Sequence, residues 1–335
     1  MKARYYKRSF QFKRPSGTSR GVLTEKHSWM IEVWNESNPE IIGLGECSVI
    51  PGLSPDFLHD SQYEGELAAL CKDLSRDLTD LPSIQFGLET ALLDLQQGGK
   101  RVVFDNAFAH GKLQIPINGL IWMGSEVFMR EQIESKIEAG FSTIKLKIGA
   151  IDFDSEIKLL SSIRDQFDSS QITLRVDANG AFSPNEALQK LERLSNLGIH
   201  SIEQPIKAGQ WQEMAKLCVS TPIPIALDEE LIGINRLEEK MKLMDAIRPQ
   251  YIILKPSLHG GIKGCREWIA LSEERNIPWW ITSALESNVG LDAICQFTAE
   301  YKNDLPQGLG TGSLYVENTP TTLKVENGMI YRSIH

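Results

Sequence analysis

The chain has 335 residues, of which 41% are hydrophobic and 24% charged, and its formal net charge at pH 7 is -9. This length exceeds the usual size of one domain and predicts one large domain joined to a smaller one. The negative charge disfavours a nucleic-acid partner, which would need a basic surface, and leaves room for a small acidic substrate. The five cysteines are widely spaced without a Cys-x-x-Cys motif, which indicates a reducing, cytoplasmic location.

The N-terminal third of the chain combines strand-like and helix-like patterns. Residues 1–53 alternate polar with aromatic or apolar residues, as in the strands of a small antiparallel sheet. The basic start lacks the apolar run of a signal peptide, and no window of 18 apolar residues indicates a membrane span. Residues 61–78 and 83–96 show helical spacing of apolar residues, so this part is predicted to be α+β.

From residue 115 onward, short apolar strands alternate with amphipathic helices. The predicted strands are Ile115–Ile121, Thr143–Ile148, Ile172–Asp177, Ser201–Glu203, Ile223–Asp228, Tyr251–Lys255, Trp279–Ser283 and Gln307–Thr311. Eight strands that alternate with helices are typical of a (β/α)₈-type barrel, whose catalytic residues lie at the C-terminal ends of the strands. The tail after residue 314 again alternates like a strand and is predicted to return to the first domain.

Charged residues end five of the predicted strands. They are Lys145 with Lys147, Asp177, Glu203, Asp228 and Lys255. Successive gaps from Lys147 onward are 30, 26, 25 and 27 residues, close to the length of a strand, a helix and two loops, which predicts one shared barrel rim. Three carboxylates there would repel one another unless a cation neutralised them. Because the ligands are oxygens without Cys or His nearby, Mg²⁺ is the predicted ion, with Mn²⁺ as an alternative.

Each of these residues alone also has an ordinary structural explanation. An Asp just after a strand often caps the next helix, although Ser183 is already placed to cap the helix that follows Asp177. Glu203 is a poor cap because a proline follows two residues later. A lysine is most often a solvated surface charge, yet Lys147 and Lys255 both end apolar strands. A functional site explains the whole set better than five separate structural roles do.

The two lysines around residue 146 have a chemical use in such a site. Lys145 and Lys147 share one face of their strand, and both point into the barrel if Leu146 packs outward. A neighbouring ammonium group and a bound cation both favour the neutral, basic form of Lys147. With Lys255 on the opposite side, the site is suited to removing a proton α to a metal-bound carboxylate.

Other polar or glycine-rich segments carry weaker signals. Residues 259–261 and 308–312 are rich in glycine but match neither a phosphate-binding loop nor a dinucleotide fingerprint, so both are interpreted as turns. Ser283 ends the seventh strand and is a candidate for substrate binding. No histidine nearby in the sequence supports it as a nucleophile.

Five short motifs together resemble the enolase superfamily, in its muconate-lactonizing-enzyme-like subgroup. They are Lys145-x-Lys147, Val176-Asp177-Ala178-Asn179, Ile202-Glu203-Gln204-Pro205, Leu227-Asp228-Glu229 and Leu254-Lys255-Pro256. The resemblance implies an α/β fold, a modified TIM barrel (β/α)₇β with an α+β capping domain. It places the barrel at residues 106–313, and the capping domain at residues 1–105 together with the returning tail, 314–335.

The same resemblance implies roles for individual residues. The Mg²⁺ ligands would be Asp177, Glu203 and Asp228, and the acid/base pair would be Lys147 and Lys255. Candidates for substrate binding are Lys145, Asn179 and Ser283. The implied partner is a small-molecule carboxylate substrate, and the sequence does not indicate an oligomeric state.

Within the subgroup, several phrases resemble the o-succinylbenzoate synthases of menaquinone biosynthesis. They are residues 43–47, 51–54, 118–121 and 282–290. The implied reaction is a Mg²⁺-dependent syn elimination of water from 2-succinyl-6-hydroxy-2,4-cyclohexadiene-1-carboxylate through an enediolate. Ser283 and residues 308–312 are then expected to hold the succinyl carboxylate by neutral hydrogen bonds.

Two other functions stay open at this point. An N-acylamino acid racemase or dipeptide epimerase of the same superfamily would use the same two lysines. Residues 308–311 lack the Asp-x-Asp with which dipeptide epimerases hold an amino group, which disfavours the epimerase. The second alternative is a metal-binding barrel without catalytic activity. The presence of all five strand-end charges disfavours it.

Overall fold

The structure is a computed structural model that describes residues 1–18, 21–149 and 151–334. Its N-terminal part is an antiparallel sheet of β1 (Lys2–Thr18), β2 (Gly21–Asn35) and β3 (Asn38–Ser48), followed by helices α1 (Asp60–Lys72) and α2 (Pro82–Gln96). This α+β arrangement confirms the prediction for the N-terminal part. The helices begin within one residue of the predicted positions.

The middle of strand β2 is buried on both faces of the capping sheet because it carries apolar residues on both. Trp29 and Ile31 of β2 point to one face and pack with Leu67 of α1. Met30 points to the other face and packs with Leu285, which follows the last long barrel strand. The sheet is therefore held between its own helices and the mouth of the barrel, as expected for a strand with a side-chain period of two.

The barrel follows as a parallel sheet of seven strands in sequence order. The strands are β5 (Gly119–Ile121), β6 (Thr143–Lys147), β7 (Thr173–Asp177), β8 (Ile199–Glu203), β9 (Ile225–Leu227), β10 (Tyr251–Leu254) and β11 (Trp279–Ile281). Gln307 bridges to Ile117 and Gly308 bridges to Thr282, and both bridges are parallel. These two residues close the ring in place of the eighth strand predicted at Gln307–Thr311. The observed fold is the predicted modified TIM barrel.

Helices cover the outside of the barrel. They are α3 (Glu126–Glu138), α4 (Phe153–Arg164), α5 (Pro184–Ser195), α6 (Trp211–Ser220), α7 (Leu237–Ile247), α8 (Gly261–Glu274) and α9 (Asn288–Thr298). Helix α5 begins at Pro184 as predicted, although among the described residues no backbone N–H bonds to the Ser183 side chain. Leu146 of β6 and Leu160 of α4 belong to the same buried cluster between strands and helices. Leu146 thus packs outward, as the prediction for the neighbouring lysines requires.

The C-terminal tail contacts both parts of the molecule. A hairpin of β12 (Leu323–Glu326) and β13 (Met329–Arg332) pairs with the short strand β4 (Ile115–Pro116). Further upstream, the tail bonds to the capping sheet, where Lys13 N donates to Leu314 O at 2.8 Å. The predicted boundaries at residues 105 and 313 stay a prediction. In the described part of the chain, no helix has the length and apolar character needed to cross a membrane.

Candidate active site

Strand register brings the predicted charged residues to one end of the barrel. Lys147 of β6 lies beside Asp177 of β7, and Asp177 lies beside Glu203 of β8. The residue before each of these charges is buried in the layer under the helices; these residues are Leu146, Val176, Ile202, Leu227 and Leu254. Since side chains alternate along a strand, the charges that follow point to the barrel interior.

The charges form two neighbouring groups of ion pairs, together called the strand-end cluster: Lys145, Lys147, Asp177 and Glu203 in one, and Asp228 and Lys255 in the other. Asp177 Oδ2 lies 3.1 Å from Lys145 Nζ and 3.0 Å from Lys147 Nζ. Lys145 also pairs with Glu203, and Lys255 pairs with Asp228. The structure thus brings together all five predicted metal and acid/base residues, with Lys145 between two of the carboxylates.

The carboxylates of the cluster are buried, at 1%, 3% and 0% exposure for Asp177, Glu203 and Asp228. Burial and the neighbouring Asp177 raise the pKa of Glu203 to about 8. Burial also opposes ionisation of Asp177, but three lysines outweigh it and hold the pKa of Asp177 well below its usual range. Lysine charge therefore stabilises the ionised form of Asp177 but does not outweigh burial and the Asp177 charge at Glu203.

Two oxygens of the cluster mark the place where a cation fits. Glu203 Oε1 and Asp228 Oδ1 are buried and have no hydrogen-bond partner within the described residues. A buried carboxylate oxygen without a hydrogen-bond partner destabilises the folded protein. A hard divalent cation is the partner that such oxygens prefer. Across residues 1–18, 21–149 and 151–334, no three acidic, His or Cys side chains form a ready-made ligand group. Lys145 and Lys255 contact the same carboxylates, so an ion would compete with these lysines.

A cavity of about 300 Å³ lies over the strand-end cluster. Its floor includes Lys147 and Lys255, which lie on strands β6 and β10. These strands are four positions apart in a ring of eight, so the two lysines lie on opposite sides of the barrel. The capping domain supplies an apolar rim of Leu23, Ile50, Pro51 and Leu53. Both parts of the molecule therefore form the cavity.

Asn179 orients Lys147 from the loop after β7. Its Oδ1 accepts a hydrogen bond from Lys147 Nζ at 2.7 Å, and its Nδ2 donates to Glu229 Oε1 at 2.9 Å. Its backbone N–H donates to Asp177 Oδ1 at 3.0 Å, with the residue held at φ 44° in the left-handed region. A non-glycine residue persists in this conformation when its surroundings over-determine it. Both ends of the amide are thus engaged, one of them by Lys147.

Ser283 lines the cavity, but its hydroxyl proton is directed elsewhere. Its Oγ donates to the buried carboxylate of Glu286 at 2.5 Å and accepts from Thr311 Oγ1 at 2.8 Å. The expected donation from Ser283 to a substrate carboxylate therefore requires this chain of hydrogen bonds to rearrange. Sequence reasoning missed Glu286, although its Ser-x-x-Glu spacing from Ser283 was a usable signal.

The segment at residues 259–261 supports Lys255. Lys255 N donates to His259 Nδ1 at 2.9 Å, and the buried ring fixes the backbone where β10 ends. Gly260 and Gly261 both have positive φ, at 86° and 70°, which confirms the predicted turn.

Comparisons with known proteins show which family the chain is similar to. A family model described as enolase C-terminal domain-like matches residues 128–333. An o-succinylbenzoate synthase from Desulfotalea psychrophila is 48% identical over 98% of each chain. The crystal structure of MenC from Desulfotalea psychrophila LSv54 superimposes with a TM-score of 0.87 at 44% identity and covers 99% of both chains. An N-succinylamino acid racemase from Thermus thermophilus is 35% identical over 82% of this chain and 75% of that protein.

Two findings show the family of this chain. The family model matches more than half of its residues, and one relative is 48% identical. The chain is an enzyme that belongs to the enolase superfamily, in its muconate-lactonizing-enzyme-like subgroup.

Proposed function

We propose that this enzyme dehydrates 2-succinyl-6-hydroxy-2,4-cyclohexadiene-1-carboxylate to o-succinylbenzoate in menaquinone biosynthesis. The observation that carries the proposal is the pair Lys147 and Lys255 on opposite sides of one cavity, with three buried carboxylates between them. The 48% identity to an o-succinylbenzoate synthase supports the choice of reaction within the superfamily.

The metal ion belongs to the same proposal. Asp177, Glu203 and Asp228 would hold Mg²⁺, or Mn²⁺ in its place, since they supply only oxygen ligands and two of the oxygens are unmet among the described residues. When bound, such an ion stabilises the negative charge that develops on a substrate carboxylate after loss of the α-proton.

Lys147 is the proposed base and acts as the neutral amine, with one of its N–H groups donated to Asn179 Oδ1. Lys147 Nζ accepts the proton from the ring carbon that bears the carboxylate. The electron pair left by that proton passes through the enediolate and forms the new ring double bond as the adjacent C–O bond breaks. Lys147 then returns the proton to the departing hydroxide, which leaves as water, so one lysine suffices for a syn elimination.

Lys255 is proposed to stay charged across the ring. Burial disfavours its charge, but Asp228 and Glu203 outweigh burial and raise the pKa of Lys255. A fixed cation on that side stabilises the anionic intermediate without taking a proton. The apolar rim from the capping domain excludes water from the intermediate.

A racemase acting on N-succinylamino acids is the second candidate. It is favoured by the 35% identity to an N-succinylamino acid racemase and by the same opposed lysines, which could protonate either face of an enediolate. A free dipeptide is a poorer fit, because Gly308 and Gly310 line the cavity where an α-ammonium group would need a carboxylate.

One assay distinguishes these candidate functions. It tests three substrates with the same purified protein at a saturating Mg²⁺ concentration. We expect rapid dehydration of the cyclohexadiene carboxylate, slower racemisation of N-succinylamino acids and no epimerisation of L-Ala-L-Glu. Variant Lys158→Ala, which alters an exposed lysine on α4, is the matched control. Efficient epimerisation of the free dipeptide would overturn the proposal, and full activity in excess EDTA would remove the metal from it.

A further inference from the structure

Lys136 lies in the wall of the cavity over the strand-end cluster, although it belongs to helix α3 on the outside of the barrel. Four lysines of the described residues line this cavity, and the other three are Lys145, Lys147 and Lys255. Neither the proposed metal site nor the proposed proton transfer uses Lys136. Its place in the wall therefore needs an explanation of its own.

Gly119 of strand β5 gives the Lys136 side chain room to lie against the barrel wall. A Cβ atom added at residue 119 would lie 3.1 Å from Cγ and Cδ of Lys136 and 3.3 Å from its Cβ, closer than side chains ordinarily pack. The aliphatic stem of Lys136 thus occupies the place that a side chain at residue 119 would take. A lysine commonly buries its stem in this way and leaves its ammonium group accessible to water or a ligand.

The ammonium group of Lys136 is open to a ligand and has no countercharge among the described residues. The other three lysines of the cavity each pair with a carboxylate of the strand-end cluster. Lys136 Nζ lies 5.0 Å from the centroid of the Phe141 ring, and it is accessible to solvent because the side chain is only half-buried. Burial lowers the pKa of Lys136, and no neighbouring carboxylate opposes this effect. A bound carboxylate would favour the charged form of Lys136.

The neutral donors that were expected to hold an acidic substrate tail are already engaged. Ser283 Oγ donates to Glu286 at 2.5 Å, and Thr311 Oγ1 donates to Ser283 at 2.8 Å. The N–H group of Gly308 donates to a barrel carbonyl at 2.8 Å. A carboxylate bound at these groups would have to break one of these hydrogen bonds. Lys136 offers N–H groups in the same cavity without that loss.

Strand register places the Lys136 stem deeper in the barrel than the proposed base. Gly119 lies beside Ile144 of β6, three residues before Lys147. At about 3.3 Å per residue, the difference in depth is about 10 Å. The two carboxylates of the proposed substrate are about 7 Å apart when the succinyl chain is extended. With a hydrogen bond of about 2.8 Å at its end, the succinyl tail is long enough to reach from the reacting ring to Lys136.

We propose that Lys136 binds the succinyl carboxylate and thereby determines the preference of this enzyme for substrates with an acidic tail. The identity of that tail rests on the proposed function, and N-succinylamino acids, the substrates of the second candidate function, carry the same group. The ammonium group donates a charge-assisted hydrogen bond to the tail. Because Lys136 takes no part in the proton transfer, it contributes equally to binding of the substrate and of the transition state.

The test compares two ligands that differ only at the end of the tail: o-succinylbenzoate, and 2-butanoylbenzoate, which has a methyl group in place of the distal carboxylate. Isothermal titration calorimetry on the whole protein with saturating Mg²⁺ should show at least about tenfold tighter binding of o-succinylbenzoate, the gain expected from a hydrogen bond between charged groups. Lys136→Met, which keeps an apolar stem, should abolish this preference, and Lys136→Arg should keep part of it. The control Lys158→Met, which alters an exposed lysine on α4, should keep all of it. Unchanged affinity for 2-butanoylbenzoate shows that each variant is folded.

Kinetics provide a second readout. Lys136→Met should raise the KM for the cyclohexadiene carboxylate at least about tenfold and change kcat less than about threefold, as for loss of an interaction made equally in the ground state and the transition state. A fall in kcat at unchanged KM would contradict this role. Equal affinity of the unmodified protein for the two ligands, or an undiminished preference in Lys136→Met, would overturn the proposal.

Failure of the proposed function gives a different result. If the unmodified protein does not dehydrate the cyclohexadiene carboxylate but prefers o-succinylbenzoate through Lys136, the proposed reaction is refuted and the role of Lys136 in binding an acidic tail is supported. If the unmodified protein dehydrates its substrate and Lys136→Met has a normal KM, the proposed reaction is supported and the role of Lys136 is refuted.

Discussion

Two buried clusters of lysine and carboxylate lie close to the same cavity, and their hydrogen bonding differs. The junction cluster, between the capping domain and the barrel, consists of Lys26, Ser28, Glu46, Ser257, Ser283, Glu286 and Ser287. Glu46 accepts four hydrogen bonds there: from Ser28 Oγ at 2.7 Å, Ser287 N at 2.9 Å, Ser287 Oγ at 2.6 Å and Gly290 N at 2.9 Å. Glu286 accepts from Ser257 Oγ at 2.6 Å and Ser283 Oγ at 2.5 Å. In the strand-end cluster, by contrast, Glu203 Oε1 and Asp228 Oδ1 have no partner among the described residues.

The difference separates a cluster that holds the fold from one that is prepared for a ligand. In the junction cluster, neutral hydroxyl and N–H donors satisfy each carboxylate, and Glu46 of β3 fixes the first turn of α9. A carboxylate at a helix N-terminus is also favoured by the helix dipole. A satisfied network of this kind rigidifies its surroundings, here the cavity wall around Ser283. In the strand-end cluster, two carboxylate oxygens have no hydrogen-bond partner among the described residues, and the proposed cation would bind there.

The largest expected effect is that of Asp228→Asn, which alters a carboxylate with an unsatisfied buried oxygen. Asp228→Asn removes one of the proposed metal ligands, and we expect turnover to be abolished and Mg²⁺ affinity to fall by at least roughly 10–100-fold, the loss typical for an outer-shell partner. Calorimetric titration of Mg²⁺ and kinetics over a range of Mg²⁺ concentrations measure both effects. Far-UV circular dichroism should be unchanged. Normal Mg²⁺ affinity in this variant would contradict the assignment of Asp228 as a metal ligand.

The next effect tests the base in the strand-end cluster. Lys147→Ala should lower the rate of dehydration by roughly 10²–10⁴-fold, because general base catalysis typically contributes that much. Exchange of the α-proton of a bound substrate analogue in D₂O should stop as well. Lys158→Ala on the surface of α4 is the control. Retained exchange would assign the base to another residue, with Lys255 as the first alternative.

The junction cluster should respond in stability and not primarily in chemistry. Glu46→Ala removes the stronger of two countercharges of the buried Lys26, the other being Glu286, and takes from Ser28 and Ser287 the carboxylate that accepts their hydroxyl protons. We expect the free energy of unfolding to fall by about 3–5 kcal/mol, as for removal of one partner from a buried charge network. Denaturant titration measures this loss. The control Glu213→Ala breaks a surface pair with Lys216 and should cost less than about 1 kcal/mol. A similar small cost for Glu46→Ala would contradict the structural role.

The strand-end cluster could be predicted from the sequence because its members end apolar runs that recur at a regular spacing. The period brought the charges to one rim, and the alternation at Leu146 predicted the inward direction of Lys145 and Lys147. In contrast, Glu46 and Ser287 are 241 residues apart, and no local pattern relates them. Nor does sequence predict the left-handed backbone of Arg101, which depends on contacts with Asp94 and the distant tail. Periodicity finds residues that share an element; it does not find pairs that only tertiary packing brings together.

The eighth barrel strand shows the same limit at smaller scale. The apolar and glycine-rich segment at Gln307–Thr311 was correctly placed between the first and seventh strands, yet only Gln307 and Gly308 bridge to them. Glycine at residue 308 allows close contact with Thr282, whose methyl carbon would lie 2.7 Å from an added Cβ. Strand length there depends on this packing and not on the residue pattern.

The smallest expected effect concerns Asp56, a buried carboxylate with an unsatisfied oxygen that is not part of a proposed ligand site. Asp56 in the capping domain is buried, and its Oδ2 accepts from Ser83 N at 2.9 Å and from Ser83 Oγ at 2.6 Å. Its Oδ1 has no partner within the described residues, as in the strand-end cluster, but no second charge converges on it. Burial raises the pKa of Asp56 from 3.8 to about 6, despite the opposing hydrogen bonds from Ser83.

The sign of the resulting pH dependence follows from proton uptake. Between pH 4 and 6 the folded protein keeps a proton on Asp56 that the unfolded chain has lost, so this residue's contribution to stability decreases as the pH rises. The shift from 3.8 to about 6 corresponds to about 3 kcal/mol at most. Asp56→Asn should remove that component, so the variant gains stability relative to the unmodified protein between pH 4 and pH 7, by up to this amount. Urea titrations of both proteins at the two pH values measure the change. Activity should stay normal, because Asp56 does not line the cavity over the strand-end cluster. A stability difference that is the same at pH 4 and pH 7 would show that Asp56 titrates normally in the folded protein.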